Sequence, residues 1–248
     1  MAFGYNPIRD RVRLAMAYGW RFALVRTTAA VLSPNFKMRY PAEWMTDEKF
    51  AHYLQVAGCT GFKSVNAGRH WMLSQLLRLT ADVVGDAAEC GVFRGASSYL
   101  IASSIERAGK THHLFDSFLG LSMPDAGDGS HWRGNDLSSD TSHAKQFLSR
   151  FNNVEFHDGW IPSRFSDVED KNFSFVHIDV DLYQPTHDSI VFFYSRLSPG
   201  AIVVCDDYGF TTCPGATRAF DEFLSDKPEK MLALPDGGGF FIKGTRTS

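Results

Sequence analysis

Two pairs of aspartates set the chemistry that this chain can do. Asp179 and Asp181 close one short apolar run, and Asp206 and Asp207 close the next, within FSFVHIDVDLYQPTHDSIVFFYSRLSPGAIVVCDDYGF, Phe173 to Phe210. Carboxylates brought together without a counter-ion repel, and at least one is forced to keep its proton. A divalent cation removes that conflict, and an oxygen-only ligand set favours a hard ion such as Mg2+. Residues two apart share a strand face, so Asp179 and Asp181 both look inward only if the strand continues. Leu182-Tyr183-Gln184-Pro185 reads as a turn instead. Asp179 is therefore the expected ligand, and Asp181 a cap or supporting residue. Asp206 and Asp207 are adjacent, so both reach one ion only where the chain has left strand geometry. The competing reading makes all of them helix caps and turn residues, which are common where a strand passes into a helix.

A second constellation is Glu89-Cys90-Gly91-Val92-Phe93-Arg94-Gly95. Glycines at a strand-to-helix turn let a ligand approach the backbone closely. The spacing is not the GxGxxG dinucleotide fingerprint, and no Walker sequence or other phosphate cradle is present. Asp116 ends the next strand about twenty residues on, where a carboxylate accepts ribose hydroxyls. His157-Asp158-Gly159-Trp160, at the end of a third strand, suits the edge and face of an adenine. These groups describe an adenosine-bearing cofactor lying across three strand ends. Among histidines, His177 would share a face with Asp179 and reads as a core residue. His112, His113, His131, His143, His157 and His187 show no recognisable metal spacing.

Strands must carry these groups. Asp86–Glu89, His112–Phe115, Asn153–Phe156, Phe173–Ile178 and Ala201–Val204 read as five strands, with Met231–Leu234 and Phe240–Ile242 as two more. Helical segments fall between them: one through Ile105, Asp188–Leu197 before the turn Ser198-Pro199-Gly200, and Ala216–Leu224. Strands alternating with helices predict an α/β fold, a doubly wound and mostly parallel sheet. Ligands of such sheets bind beyond the carboxyl ends of the strands, where the aspartates fall. The connection from Asp116 to about Ser142 is long and rich in Gly, Asp and Ser. A loop of that length at a carboxyl end is expected to be a lid or substrate loop.

Before the first strand the chain reads as helical, with Ile8–Leu32, a region starting near Asp47, and Arg69–Thr80. This divides the chain into a helical N-terminal extension, 1–80, and a sheet domain, 81–248. The apolar face of the first helix predicts a homo-oligomer. At 248 residues, 44% hydrophobic and 21% charged, with a net charge of −3, nothing points to nucleic acid. No apolar stretch is long enough for a membrane span, and the arginines among the first residues do not form a signal peptide. The four cysteines, Cys59, Cys90, Cys205 and Cys213, lack CxxC spacing. They read as reduced residues of a cytoplasmic protein.

The motifs AECGVFRGASS, LFDSFLGL, HIDVDLYQPTHDSI, VVCDDYGF and PGATRAFDEF, in this order and spacing, resemble the macrocin O-methyltransferase family. The resemblance covers about Asp86 to Lys243. It implies a Rossmann-like methyltransferase sheet of seven strands and a cation-dependent S-adenosylmethionine enzyme methylating sugar hydroxyls of bacterial natural products. Carried over residue by residue, it implies that Glu89, Gly91, Gly95, Ser97, Asp116, Ser117, Asp158 and Gly159 contact the cofactor. Asp179, Asp206 and Asp207 would hold magnesium, and a sulfonium methyl donor explains why a phosphate cradle is missing. Ala96 departs from the pattern, since relatives often carry another glycine there.

The expected reaction is in-line methyl transfer to an oxygen of a small-molecule glycoside or diol, with Asp179 as ligand and proton acceptor. Metal ligation lowers the pKa of water from about 15.7 to about 7, and an alcohol should respond similarly. The early helices and the long loop would exclude water. Trp44, Trp71, Trp132 and Tyr183 could stack on a sugar or aglycone, with core packing the better reading of Trp71. A catechol-type phenol as acceptor and an inactive binding protein on the same fold are the rival readings.

Overall fold

The run FSFVHI is buried at every position, as a strand covered on both faces must be. In the computed structural model, which describes residues 20–32, 47–58 and 67–245, this run is the central strand β4 (Phe173–Ile178). Its neighbours are β1 (Asp86–Cys90), β2 (His112–Asp116), β3 (Val154–Asp158), β5 (Leu197–Cys205), β6 (Leu232–Ala233) and β7 (Gly239–Ile242). The seven-stranded sheet has the order β3-β2-β1-β4-β5-β7-β6. Strands β1 to β5 run parallel, and β7 lies antiparallel to both β5 and β6. The α/β, doubly wound and mostly parallel architecture is as expected.

The helices are α1 (Trp20–Leu32), α2 (Glu48–Gly58), α3 (Ala67–Leu79), α4 (Ala96–Ile105), α5 (Thr141–Leu148), α6 (Tyr183–Tyr194) and α7 (Pro214–Leu224). Phe173, Phe175, Phe193, Phe220 and Phe241 are almost wholly buried on or against the sheet. Burying one such side chain contributes about 1.5–3 kcal/mol. The chain splits into two compact units, residues 1–47 and 48–248. Helices α2 and α3 fall in the second unit, with the sheet. The physical reason is contact: the Tyr53 hydroxyl of α2 donates to the Ala96 carbonyl at 3.1 Å, and Arg69 of α3 reaches Asp206. In α1, Trp20, Leu24, Val25, Val31 and Leu32 are exposed. The expected start of the first helix at Ile8, together with Trp44 and Cys59, lies outside the described residues.

Two local expectations fail for identifiable reasons. Ser198-Pro199-Gly200 is not a free turn but part of β5, where partners jump from Phe173↔Leu197 to Phe175↔Ile202. The bulge takes up the extra residues, which is where a proline is tolerated in a sheet. Leu182-Tyr183-Gln184-Pro185 is the start of α6, not a turn. A proline in the first helical turn removes only an N–H that has no intrahelical partner. Cys90, Cys205 and Cys213 are buried and unpaired. Among the described residues no helix is long and apolar enough to cross a membrane.

Candidate active site

Strand order reverses between β1 and β4, since β2 and β3 build outward from one side and β5 from the other. Such a switch point opens a crevice beyond the strand ends. Here the two strands stay bonded to their ends: the N–H of Asp179, just past β4, donates to the carbonyl of Cys90, the last residue of β1, at 2.8 Å. Gly91 has φ of +90°, and any side chain there would collide with the Asp179 carbonyl. Glycine is thus required by backbone approach as well as by conformation. A cavity of about 620 Å³ lies over this junction, lined by Gly91, Ser97, Asp116, Ser117, Asp179, Asp206 and Asp207 among others.

Asp116 closes the glycine turn. Its Oδ2 accepts from the Val92 and Phe93 N–H groups, both at 2.8 Å, and its Oδ1 accepts from Phe118 N–H at 2.7 Å. The carboxylate ties β2 to the β1–α4 turn while still facing the cavity. The structure does not bring every expected cofactor residue to the wall. Glu89 is fully buried, accepting from Ser98 Oγ and lying 3.1 Å from His177 Nδ1. It supports the turn from beneath. Gly95, with φ of +85°, starts α4 against Phe147 and Leu148. Asp158 pairs with Lys145 at 2.7 Å, and Gly159 donates to the Asp116 carbonyl. His157 points into the core, stacked on Phe115, and from that segment Trp160 and Ile161 line the cavity instead.

The aspartates form a strained and crowded wall. Asp181 has φ of +59°, and Leu182 N–H donates to the Val180 carbonyl across it at 2.6 Å. Such a tight turn with positive φ is rare outside glycine and is typical of functional sites. It turns Asp181 inward, where its N–H donates to Asp207 Oδ2 at 2.8 Å and its Oδ1 accepts from Cys213 Sγ at 3.5 Å. Burial pushes the Asp181 carboxyl up to about 9, with the charges of Asp207 and Asp179 adding to it. Burial and the Asp179 charge push Asp207 up to about 7. Asp179 is also raised, by burial first, although His177 and Arg69 pull the other way. Three acids held above their ordinary range are what a cation would relieve, so the donor set fits a hard divalent ion.

The atoms do not converge on the expected trio, however. Ligand atoms of Asp181, Asp207 and Cys213 lie within 4.8 Å of one another, whereas Asp206 is turned to Arg69. Arg69 Nε donates to Asp206 Oδ1 at 3.1 Å and Nη2 donates to its backbone carbonyl at 2.9 Å. Asp181 thus stands on the cavity wall beside Asp207.

Helix α3 also supplies His70, whose Nδ1 is 2.5 Å from the Tyr53 hydroxyl. Burial, with the charges of His177 and Arg69, lowers it to about 4, so it stands neutral in the wall. Neither Arg69 nor His70 was legible, because one basic residue and one histidine in a helical run carry no spacing signal. From the long loop, Gly120, Leu121, Ser122, Trp132 and Leu137 line the cavity. The Trp132 indole donates to Cys213 Sγ at 3.3 Å, and buried Asp128 accepts from Tyr183 N–H at 2.7 Å. Tyr183 itself faces away, stacked on His187 and donating to Glu222. Trp71 packs edge-on against Phe50.

This arrangement has relatives. Residues 70–232 match the family model described as Macrocin-O-methyltransferase (TylF). An 8-demethyl-8-(2,3-dimethoxy-alpha-L-rhamnosyl)-tetracenomycin-C 4'-O-methyltransferase of Streptomyces olivaceus is 28% identical over 188 residues, 68% of this chain and 70% of that protein. Demethyldecarbamoylnovobiocin O-methyltransferase of Streptomyces niveus is 25% identical over 215 residues, 73% of this chain and 80% of that one. The solved O-methyltransferase NovP, 25% identical, superposes with a TM-score of 0.61 over 73% of this chain and 80% of its own. A calicheamicin methyltransferase, at 14% identity, shares the fold with a TM-score of 0.64 over 85% of this chain and all of its own. The chain belongs to the macrocin O-methyltransferase family and is a methyltransferase.

Proposed function

We propose that the protein transfers a methyl group from S-adenosylmethionine to a sugar hydroxyl of a glycosylated small molecule, with the help of a divalent cation. The observation that carries this reading is the single cavity wall on which the glycine turn with Asp116 meets the raised acids Asp179, Asp181 and Asp207. The relatives' named acceptors, a rhamnosyl-tetracenomycin and demethyldecarbamoylnovobiocin, support a glycoside as the substrate class. Placement in the cytoplasm and self-association through the exposed apolar residues of α1 are part of the same proposal.

When bound, the sulfonium supplies an electrophilic methyl and the cation supplies Lewis acidity that makes a hydroxyl proton easier to remove. Gly91, Ser97, Asp116 and Ser117 would hold the methyl donor, with Trp160 beside it. Asp179, Asp206 and Asp207 would hold the cation. Asp206 must then share its carboxylate with Arg69 or release it. The chain's own work is to place the acceptor oxygen in line with the methyl carbon and to exclude water. Helix α3 and the loop carrying Trp132 cover the acceptor side. With the donor bound, transfer would break its carbon–sulfur bond as the carbon–oxygen bond forms, and the hydroxyl proton would pass to a carboxylate, assigned first to Asp179. A second assignment is Asp181. It is buried on the same wall, and once a cation relieves the repulsion from Asp207 and Asp179 its carboxylate would be free to accept that proton.

Mass gain of one methyl, measured over a panel of glycosides and catechols with and without chelator, tests the reading. Turnover of glycosides that chelator abolishes is expected. Full turnover in chelator, or turnover of catechols alone, overturns it. Asp181→Asn and Asp179→Asn should each lose about 10²–10⁴-fold in kcat. Loss in Asp181→Asn with cation affinity intact would move the proton acceptor to Asp181.

A further inference from the structure

On the opposite face of β1–β3 from Glu89, four titratable side chains form an unbroken line. Asp86 Oδ2 lies 3.3 Å from His113 Nε2, His113 Nδ1 lies 3.1 Å from His157 Nε2, and His157 Nδ1 lies 3.0 Å from Asp167 Oδ2. The outer carboxylate is anchored, since Arg164 Nε and Nη2 also donate to Asp167 Oδ2 at 2.9 and 2.5 Å. Both rings are nine-tenths buried or more, at 1% exposure for His113 and 3% for His157. Each of the three contacts needs one proton, but two neutral imidazoles carry only one N–H each. The count closes with a third proton, or with a cation in place of the middle one.

Three observations favour the cation. Glu155 stands directly opposite His113 in the β2–β3 register, and its Oε2 lies 3.5 Å from His113 Nδ1, beside the His–His contact. The ligand atoms of His113, Glu155 and His157 all fall within 4.8 Å of one another. The inner separation of 3.1 Å is also close to the roughly 3.3 Å that two nitrogens keep when each sits about 2.0–2.1 Å from a tetrahedral ion.

We propose that His113, His157 and Glu155 form a second metal site, separate from the aspartate wall, for a borderline-soft divalent ion of the Zn2+ class. In it His113 Nδ1, His157 Nε2 and a Glu155 oxygen are the ligands. The freed ring protons then donate outward, His113 Nε2–H to Asp86 and His157 Nδ1–H to Asp167. Carboxylates behind ligating histidines fix the tautomer and the ring orientation in this way. Glu155 is more than half exposed, which leaves the remaining coordination position to water. The ion would clip β2 to β3 and, through Asp86, to β1. The spacing was not recognisable along the chain because the ligands converge across strands: Glu155 and His157 are two apart on β3, and His113 comes from β2.

The test is cobalt titration of the full-length, chelator-stripped protein, read by the visible ligand-field absorption of four-coordinate Co2+ with nitrogen ligands. Wild type and Asp207→Asn should give the same spectrum, which keeps this site apart from the aspartate wall. Glu155→Gln, at an exposed position compatible with folding, should weaken or abolish it, and His157→Gln should abolish it. Asp167→Asn should weaken Co2+ binding about 10–100-fold. Zn2+ should displace the cobalt signal and raise the melting temperature of wild type but not of Glu155→Gln. A wild-type protein without that absorption, or a Glu155→Gln protein with wild-type affinity and thermal shift, overturns the proposal. So does a His113–His157 pair that nitrogen NMR finds protonated at neutral pH and unchanged by Zn2+.

Discussion

Glu89, in β1, and Asp181, just past the end of β4, are both buried carboxylates, yet their surroundings drive them in opposite directions. Burial alone would raise both. At Glu89 the bond from His177 and the charges of His112 and His177 overcome burial, and its carboxyl titrates below the ordinary range. His177 rises in return, because the Glu89 contact outweighs its own burial. At Asp181 the nearest charges are other acids, Asp207 and Asp179, so burial is reinforced. The first region is a closed pair that holds the β1 turn in place. The second is an open set of like charges that is complete only with an added ligand. Buried charge is therefore structural where the chain supplies the counter-charge and functional where it does not.

The largest effect should come from breaking the closed pair. Glu89→Ala leaves His177 buried without its partner and is expected to cost about 3–5 kcal/mol, measured by denaturant unfolding. A cost near zero would show that the pair does not carry the turn. A smaller effect of opposite sign should come from the open set. In chelator, Asp181→Asn removes one of the repelling acids and should melt higher than wild type; a lower melting temperature would break the contrast.

The pH dependence sharpens the comparison. Unfolded aspartates release their protons near pH 4, whereas folded Asp207 and Asp181 hold theirs to about 7 and about 9. The folded state thus binds more protons across that interval, and the stability they contribute is present below about pH 4 and lost as pH rises through 7 and 9. Metal-free wild type should therefore show a melting temperature that falls with pH more steeply than that of Asp181→Asn, and saturating Mg2+ should flatten the wild-type slope. Equal slopes for the two proteins would refute this account. The smallest effect belongs to Lys145→Ala, which opens the exposed pair with Asp158 and should cost under about 1 kcal/mol, less at high salt.

Much of this was legible from residue order. The strand Phe173–Ile178 was read without error because a doubly covered strand is a continuous apolar run. Gly91 and Asp116 were legible because a glycine turn and an acid at the next strand end have a characteristic spacing. The partners of Glu89 were not legible for a related reason. Its position two before Gly91 marks the motif, but strand alternation sends its side chain under the sheet to His177. Asp181 was underrated because only a positive φ, which sequence does not declare for an aspartate, turns it back to the wall.

By itself the sequence determined the alternation of strands and helices, the glycine turn and the acids at the strand ends, since each is a matter of local periodicity and spacing. The tertiary structure alone decided which of those acids share a wall and which are neutralised. It brought Arg69 across 137 positions of chain to Asp206, set His177 against Glu89, and aligned His113 with Glu155. Charge and proton sharing depend on distances of a few ångströms between elements far apart in sequence, and only packing sets those distances.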